Sequence, residues 1–326
     1  MYNKIHKTTD ELIEILEKRG MKINDKNLAK QRLEHINYYK IKEFSNPFYK
    51  KNENNEYYYE DISFEQVMFR FYEDKNLRIY LLHVIEKIEL SFKTKIAYVL
   101  GEKYGAFGYL EFKTWCDKQK YSRETIEEEE ENIKRKIRKL LKRKGNNIVE
   151  GFLKENPDCE FPPIWMLIEI IDFGDALFIY NLMSKQNKIR IANYYLATPL
   201  ELFSWLNAVK FVRNLAAHNT NVIDARLITS PKVRDEWKKY LFYFEDVRGN
   251  LKCTNKIAVV ILVINHLIKT INPDYGFGNI RKVFCRLFKN KLENANRYGF
   301  ATTDISFLNK YSDTKSTYVP SKKIKK

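Results

Sequence analysis

The sequence predicts an all-α protein, a helical bundle core with additional N- and C-terminal helices. Three observations predict it. Glycine (11) and proline (8) are scarce among 326 residues, too few chain breakers for a loop-rich β-fold. Apolar residues recur at three and four positions over long stretches, the spacing of one helix face. Cap residues and prolines stand where those stretches begin, and glycine or asparagine where they end.

Taken in order, "TTDELIEILEKRGMKI" opens on a Thr/Asp cap signal, carries Leu12, Ile13 and Leu16, and reads as a short helix stopped by Gly20. "NDKNLAKQRLEHINYYKIKEFSNPFY" reads as a single second helix with Leu28, Leu33, Ile36 and Tyr39, ending near Pro47. "KKNENNEYYYED" is a polar loop or small hairpin. The longest helical pattern runs from Ser63 to Leu100 on Leu77, Leu81, Val84, Ile85, Ile88 and Phe92, with Gly101, Gly105 and Gly108 as breakers.

Residues 122–145, "SRETIEEEEENIKRKIRKLLKRKG", place acid in the first half and base in the second, with Gly145 as the stop. That order suits the helix macrodipole and allows acid-to-base pairs four residues apart. A narrow seam of Ile126, Ile133, Ile137, Leu140 and Leu141 is the only apolar face. "PPIWMLIEIIDFGDALFIYNLM" begins at Pro162 and Pro163 and is nearly all apolar, the pattern of one central core helix. Thr198 and Pro199 then cap a helix to about residue 217, with Leu202, Trp205, Leu206, Val209, Val212 and Ala216 as its stripe. "SPKVRDEWKKYLFYFEDV", "TNKIAVVILVINHLIKTI" and "GNIRKVFCRLFKNKLE" predict three more helices, and the tail from about Asp313 reads as flexible. The expected organisation is an N-terminal helical region (1–60), a core (61–230) with a basic helical insertion at about 122–145, a C-terminal helical region (231–312) and a basic tail (313–326).

A formal charge of +16, from 58 basic and 42 acidic residues, points to a polyanionic partner such as RNA. Eight of the eleven residues from Lys134 to Lys144 are basic, so Lys134, Arg135, Lys136, Arg138, Lys139, Lys142 and Arg143 are candidate RNA-backbone contacts. The alternative is a solvated, protruding helix. Cys116, Cys159, Cys253 and Cys285 are far apart in sequence, which excludes a CxxC zinc knuckle and suits reduced core thiols in a cytoplasmic protein. No Walker loop, GxGxxG or HExxH is present, and no cofactor or metal is expected. The N-terminus lacks a signal-peptide apolar core, and the longest apolar run, "IAVVILVI" at 257–264, is too short for a bilayer and reads as a buried helix.

"VRNLAAHNTN", residues 212–221, closes an apolar helix with Arg213, Asn214 and His218. Arg213 lies on the edge of the stripe, where a guanidinium needs an anionic partner. Glu169 and Asp172, inside the apolar 162–183 stretch, are the expected partners, while Glu89 near Lys93 reads as an ordinary i, i+4 pair. His218 stands about 140° from Arg213 around an ideal helix. Both then meet one small substrate only if the helix distorts or two copies of the motif face each other across a dimer. A histidine at a helix C-terminus gains cationic stability from the dipole. Arg78 and His83 repeat the spacing without the adjacent Asn and in mid-helix, so they read as structural.

"VRNLAAHN" resembles the R-N-x-x-x-H motif of HEPN-domain ribonucleases. The wider chain is similar to the Abi family of bacterial abortive-infection proteins, of the AbiD/AbiF type. "LEHINYYKIKEFSNPF", "LRIYLLHVIEKIELSFKTKIAY", "PPIWMLIEIIDFGDALFIYNL" and "LFSWLNAVKFVRNLAAHNTNV" carry the resemblance in family order over roughly residues 10–226. The chain departs from the usual pattern at Asn219, after the motif histidine, and at Lys93, where an Arg is usual. The resemblance implies a HEPN-like helical core, phage defence, and metal-independent RNA cleavage at a homodimer interface. It also implies that a small non-coding RNA is a possible partner. Arg213, Asn214 and His218 are the catalytic candidates carried over.

The residue types suit that chemistry independently. RNA carries its own nucleophile in the 2′-OH. A histidine can move the protons, and an arginine can hold the non-bridging oxygens. Tyr38, Tyr39 and Lys40 are further RNA-binding candidates, by stacking and charge, and His35 is a packing residue or an RNA contact. Two other readings stay open on the sequence: a non-catalytic RNA-binding scaffold, in a protein–RNA defence or toxin–antitoxin complex, and a helical protein-interaction module.

Overall fold

A computed structural model describes residues 6–53, 56–143 and 147–308, and these form an all-α fold with two small two-stranded hairpins. The expected flexible tail, Lys144 and Gly145 lie outside the described residues.

The chain opens with α1 (Thr9–Lys18), capped by Thr8 with a reciprocal bond from Glu11. Gly20 follows at φ +87°, where a Cβ would come 2.7 Å from the Tyr59 carbonyl oxygen. The single second helix expected next is two, α2 (Lys26–His35) and α3 (Tyr38–Ser45). Asn37 breaks them by accepting from the Tyr39 amide, a local bond that competes with helix continuation. The tyrosine segment is a hairpin of β1 (Tyr49–Lys51) and β2 (Tyr57–Tyr59), paired Tyr49 to Tyr59.

Helix α4 (Phe64–Tyr104) is 41 residues long, about 60 Å at 1.5 Å per residue. Ser63 and Gln66 form its N-terminal capping box, and Gly105 at φ +77° ends it. Gly101, expected as a breaker, lies inside the helix, where a Cβ would stand 3.3 Å from Ile164. Its lack of a side chain serves close helix packing. Leu77, Leu81, Val84, Ile85, Ile88 and Phe92 are all fully buried, as their spacing predicts.

Next come α5 (Phe112–Trp115), α6 (Arg123–Leu141), α7 (Asn147–Glu155), α8 (Ile164–Ile170), α9 (Phe173–Leu182), α10 (Lys185–Asn193) and α11 (Pro199–Ala217). The central helix expected from Pro162 is split into α8 and α9. Asp172 caps α9 in a reciprocal box with Asp175, and that cap chemistry outweighs the apolar run around it. The stretch after Ser230 is no α-helix. It forms a 3₁₀ turn (Asp235–Tyr240) and a hairpin of β3 (Tyr243–Glu245) and β4 (Leu251–Cys253). Asp246 accepts from the Arg248 and Asn250 amides and fixes the turn, with Gly249 at φ +76°.

Helix α12 (Ile257–Ile271) is apolar nearly all round and buried, as its run implies. "GNIRKVFCRLFKNKLE" gives α13 (Gly278–Phe288) and α14 (Leu292–Arg297) instead of one helix, because Lys289 and Asn290 both take the left-handed conformation. Helix α4 packs against α3, α8, α9, α10, α11, α12 and α13 and is the axis of the fold. One hydrophobic core runs from Ile13 to Leu308. Of the cysteines only Cys116 is fully buried, and the other three are partly exposed. Among the described residues no helix is long and apolar enough to cross a membrane.

Candidate functional site

Helix α11 is fixed at its start by Thr198 and Glu201, which cap reciprocally, with Pro199 in the first turn. Its buried stripe is the one the sequence predicts: Leu202, Trp205, Leu206, Val209, Val212 and Ala216. Packing of that stripe against α4, α9, α10 and α12 decides which way the remaining side chains face.

Arg213 emerges at the edge, with its side chain 38% exposed. Its partner is Glu89 of α4, with Nε to Oε2 at 3.7 Å. Neither Glu169 nor Asp172, the carboxylates expected from the sequence, fills this role. Glu169 is exposed to solvent, and Asp172 caps α9. Glu169 lies on the solvent side of α8, away from the buried Ile164, Leu167 and Ile168, and the reciprocal cap with Asp175 holds Asp172 at the start of α9. Glu89 sits between two cations, 3.9 Å from Lys93 as well, so it is more than an i, i+4 partner. Arg213 also donates to Asn214 Oδ1 at 3.4 Å.

His218 is the C-cap of α11 and is exposed. The helix ends because Asn219 turns left-handed at φ +55°. The Thr220 amide donates to Leu215 at 2.8 Å and the Asn219 amide to Ala216 at 3.3 Å. This is a Schellman ending with Asn in the usual glycine place. No hydrogen bond or ion pair joins Arg213 to His218 among the described residues.

The turn after His218 is fastened from below by buried charge. Asp74 Oδ1 accepts from the amides of Val222 at 2.7 Å and Ile223 at 3.0 Å. Its Oδ2 accepts from Arg78 Nε at 2.8 Å, and Arg78 Nη1 donates to Asn219 Oδ1 at 2.5 Å. Burial pushes the Asp74 carboxyl above the ordinary aspartate range, and the two amides and Arg78 pull against it. Arg70 donates to both oxygens of Asp224, at 2.6 and 2.7 Å, and Asp224 accepts from Asn221 Nδ2 at 2.8 Å.

Arg78 is therefore structural, as expected, yet its structure is that of the motif's own turn. His83 is exposed, its ring 6.4 Å from that of Tyr275, and is not part of the apolar stripe. The sequence reading missed Glu89, Asp74 and Arg70. Their signal was a charge set into the α4 apolar spacing, with Arg70 and Asp74 on the buried stripe seven and three positions before Leu77, and Glu89 at its edge.

The RNA-binding candidates fall into two groups. On and just beyond α6, three of the seven cations are already paired: Lys134 with Glu130, Lys136 with Asp175, and Arg138 with Glu160. Arg135 and Lys139, and Lys142 and Arg143 just beyond the helix, are exposed and have no ion pair among the described residues. The helix is not a protruding one. Ile126, Ile133 and Ile137 are buried, and Ile133 and Ile137 face Leu167, Ile171 and Ile179.

An open cleft of about 530 Å³ is lined by Arg135, Lys136, Lys139, Arg143 and Asp172. It is joined to the motif by a polar run. Lys93, beside Glu89, donates to the Ile171 carbonyl at 2.9 Å, next to Asp172. At α3, Tyr39 is 73% exposed and Tyr38 half-buried. Lys40 pairs with Glu43 at 2.7 Å, and the other oxygen of Glu43 accepts from the Asn221 amide at 3.3 Å. The α3 candidates thus stand beside the motif turn. No group of His, Cys, Asp and Glu that could hold a metal occurs among the described residues.

A family model described as "Abi-like protein" matches residues 31–224, well over half of the chain. The match begins in α2 and ends at Asp224, so it includes α4, α11 and the whole motif turn. No curated protein and no solved structure matches the chain.

Proposed function

We propose that this chain, which belongs to the Abi-like protein family, is an anti-phage abortive-infection effector acting as a metal-independent HEPN-type endoribonuclease of the AbiD/AbiF kind. The observation that carries the reading is the setting of the motif. Arg213 is paired with Glu89 and Asn214, His218 stands exposed at the end of the same helix, and the turn behind His218 is fastened by buried charges. A side chain meant only for solvent needs no such support. Preorganised groups, by contrast, are what transition-state stabilisation requires.

In this reading His218 takes the proton of an RNA 2′-OH, and the O2′–P bond forms as the P–O5′ bond breaks. A protonated histidine returns a proton to the leaving 5′ oxygen. The products are a 2′,3′-cyclic phosphate and a 5′-hydroxyl. Arg213 neutralises the non-bridging oxygens of the phosphorane, and Glu89 holds the guanidinium's far edge. Asn214, with its carbonyl oxygen toward Arg213, keeps its amide donors for phosphate. Because Arg213 and His218 diverge by about 140° on the helix, a homodimer supplies one from each chain.

A specific observation favours a second reading, a non-catalytic RNA-binding scaffold for a small non-coding RNA. Arg135, Lys139, Lys142 and Arg143 form a cationic surface that needs no chemistry at His218. One experiment separates the two. Cleavage of RNA by the purified protein should persist in EDTA and fall about 10²- to 10⁴-fold in His218→Ala and in Arg213→Ala. Mixed dimers of the two variants should regain part of it. Cleavage that needs Mg²⁺, or that ignores His218→Ala, refutes the mechanism. Tight RNA binding with no cleavage under any condition selects the scaffold.

A further inference from the structure

A cavity of about 690 Å³, a size typical of small-ligand sites, opens between the α3–β1 turn, the start of α4 and the α13–α14 turn. Neither Arg213 nor His218 lines it. Its walls combine aromatic rings and cations: Phe48, Phe69, Arg70, Lys289, Arg297 and Tyr298. Two guanidiniums approach the Phe48 ring, Arg297 at 4.5 Å and Arg70 at 5.2 Å from its centroid. Lys289 stands 5.6 Å from the Phe69 ring, on a backbone whose consecutive left-handed residues are Lys289 and Asn290, at φ 48° and 57°. Two adjacent non-glycine residues in that region are uncommon, and such strain gathers at ligand sites.

The local charge is out of balance. Arg70 is paired with Asp224. Lys256 is held below the usual lysine range by burial and by the neighbouring Arg226 and Arg297, with Asp224 opposing. On the cavity wall itself five cations accompany three carboxylates, of which Glu60 and Asp61 are already paired with Lys50 and Lys22, so Lys289, Lys291 and Arg297 are left with Glu293 alone. A half-buried cationic excess of that kind is a place for an anion. Aromatic rings and a stacked guanidinium, which keeps its in-plane donors, suit a planar base with a phosphate attached.

We propose that this cavity binds one nucleotide unit, with its base against Phe48 and Phe69 and its phosphate on Arg297 and Lys289. The site goes beyond the ribonuclease reading and does not depend on it. It is nevertheless wired to the motif. Arg70 forms part of the cavity wall and holds Asp224, and Asp224 is bound by Asn221 in the turn after His218. The nucleotide belongs either to an RNA strand or to a free nucleoside phosphate.

The test is calorimetric titration of the full chain with AMP, GMP, UMP, inorganic pyrophosphate and a single-stranded RNA oligonucleotide. Lys289→Glu and Arg297→Gln should weaken nucleotide binding, and Phe48→Leu should weaken it at least about fivefold, the low end for loss of a base–aromatic stack. His218→Ala should leave it unchanged. Oligonucleotide binding that is lost in the same variants assigns the unit to RNA; nucleotide binding lost while oligonucleotide binding is kept assigns it to a free nucleotide. Lys289 is exposed, so Lys289→Glu carries the test if Arg297→Gln fails to fold. Absence of saturable binding by every probe, or binding indifferent to Lys289→Glu and Phe48→Leu, overturns the site. Pyrophosphate binding as tight as AMP overturns the base half. A failure of RNA cleavage leaves this result standing, which separates the two readings.

Discussion

Asp74→Asn is the substitution that most directly probes how His218 is held. Asp74 is fully buried and accepts three hydrogen bonds, two from the Val222 and Ile223 amides through Oδ1 and one from Arg78 through Oδ2. An asparagine that keeps its oxygen on the two amides turns its NH₂ donors toward Arg78. The guanidinium, itself 6% exposed, then loses its counter-charge and keeps only Asn219. Removing one partner of a buried ion pair costs about 3–5 kcal/mol. At about 2 °C per kcal/mol for a chain of this size, the midpoint should fall by about 6–10 °C in thermal unfolding, with a matching loss in urea titration. Arg78→Met removes the stranded cation. The double variant should therefore be more stable than the sum of the two single changes by about 1–3 kcal/mol. Asp74→Asn within 1 kcal/mol of the parent, together with strict additivity, would show that this cluster does not hold the turn.

The other expectations concern surface charge, the Arg213 partner and pH. Charge reversal at Arg135, Lys139, Lys142 and Arg143 should reduce the salt slope of RNA binding by up to about 0.7–0.9 per lost phosphate contact. Reversal at Lys134 and Arg138, which are already paired, should mainly lower stability; equal effects of both sets on the slope would refute the partition. Glu89→Gln should leave the fold intact, because Arg213 is part-exposed, and lower RNA cleavage by loosening the guanidinium; unchanged kcat would remove Glu89 from the site. His266 donates from Nε2 to the Tyr195 carbonyl at 2.8 Å, and burial holds its pKa below the ordinary 6.5. The unfolded chain therefore takes up a proton that the folded chain does not as pH falls through about 6.5. This contribution to stability is full above that pH and is lost on acidification, by no more than about 1.4 kcal/mol per unit. His266→Gln should flatten that part of the stability–pH curve, and an unaltered slope would refute the assignment.

What the sequence determined by itself is local. The α11 stripe, its Thr198–Pro199 start and its end near residue 217 were legible because helix faces and caps depend on neighbours three to five residues away. The same held for the buried α4 pattern, the buried α12 run and the isoleucine seam of α6. The family was legible too, since its motifs are linear. Where local signals competed, the reading failed. Asn37 split one expected helix and Asp172 another, through side-chain bonds to the backbone that apolar periodicity does not register. Lys289 and Asn290 ended α13 without a glycine to announce it.

The partners of charge were decided only by tertiary packing. Arg213 meets Glu89, and Asp74 meets the turn at residues 222 and 223, more than a hundred positions away in the chain. With 42 acidic residues available, nothing local distinguishes the one that a long-range fold will bring within 4 Å. The same is true of α6, where packing brings Asp175 to Lys136 and Glu160 to Arg138, whereas Lys134 meets Glu130 four residues away on its own helix. A long-range ion pair is a property of where two segments meet, whereas a helix face and its i, i+4 pairs are properties of one segment.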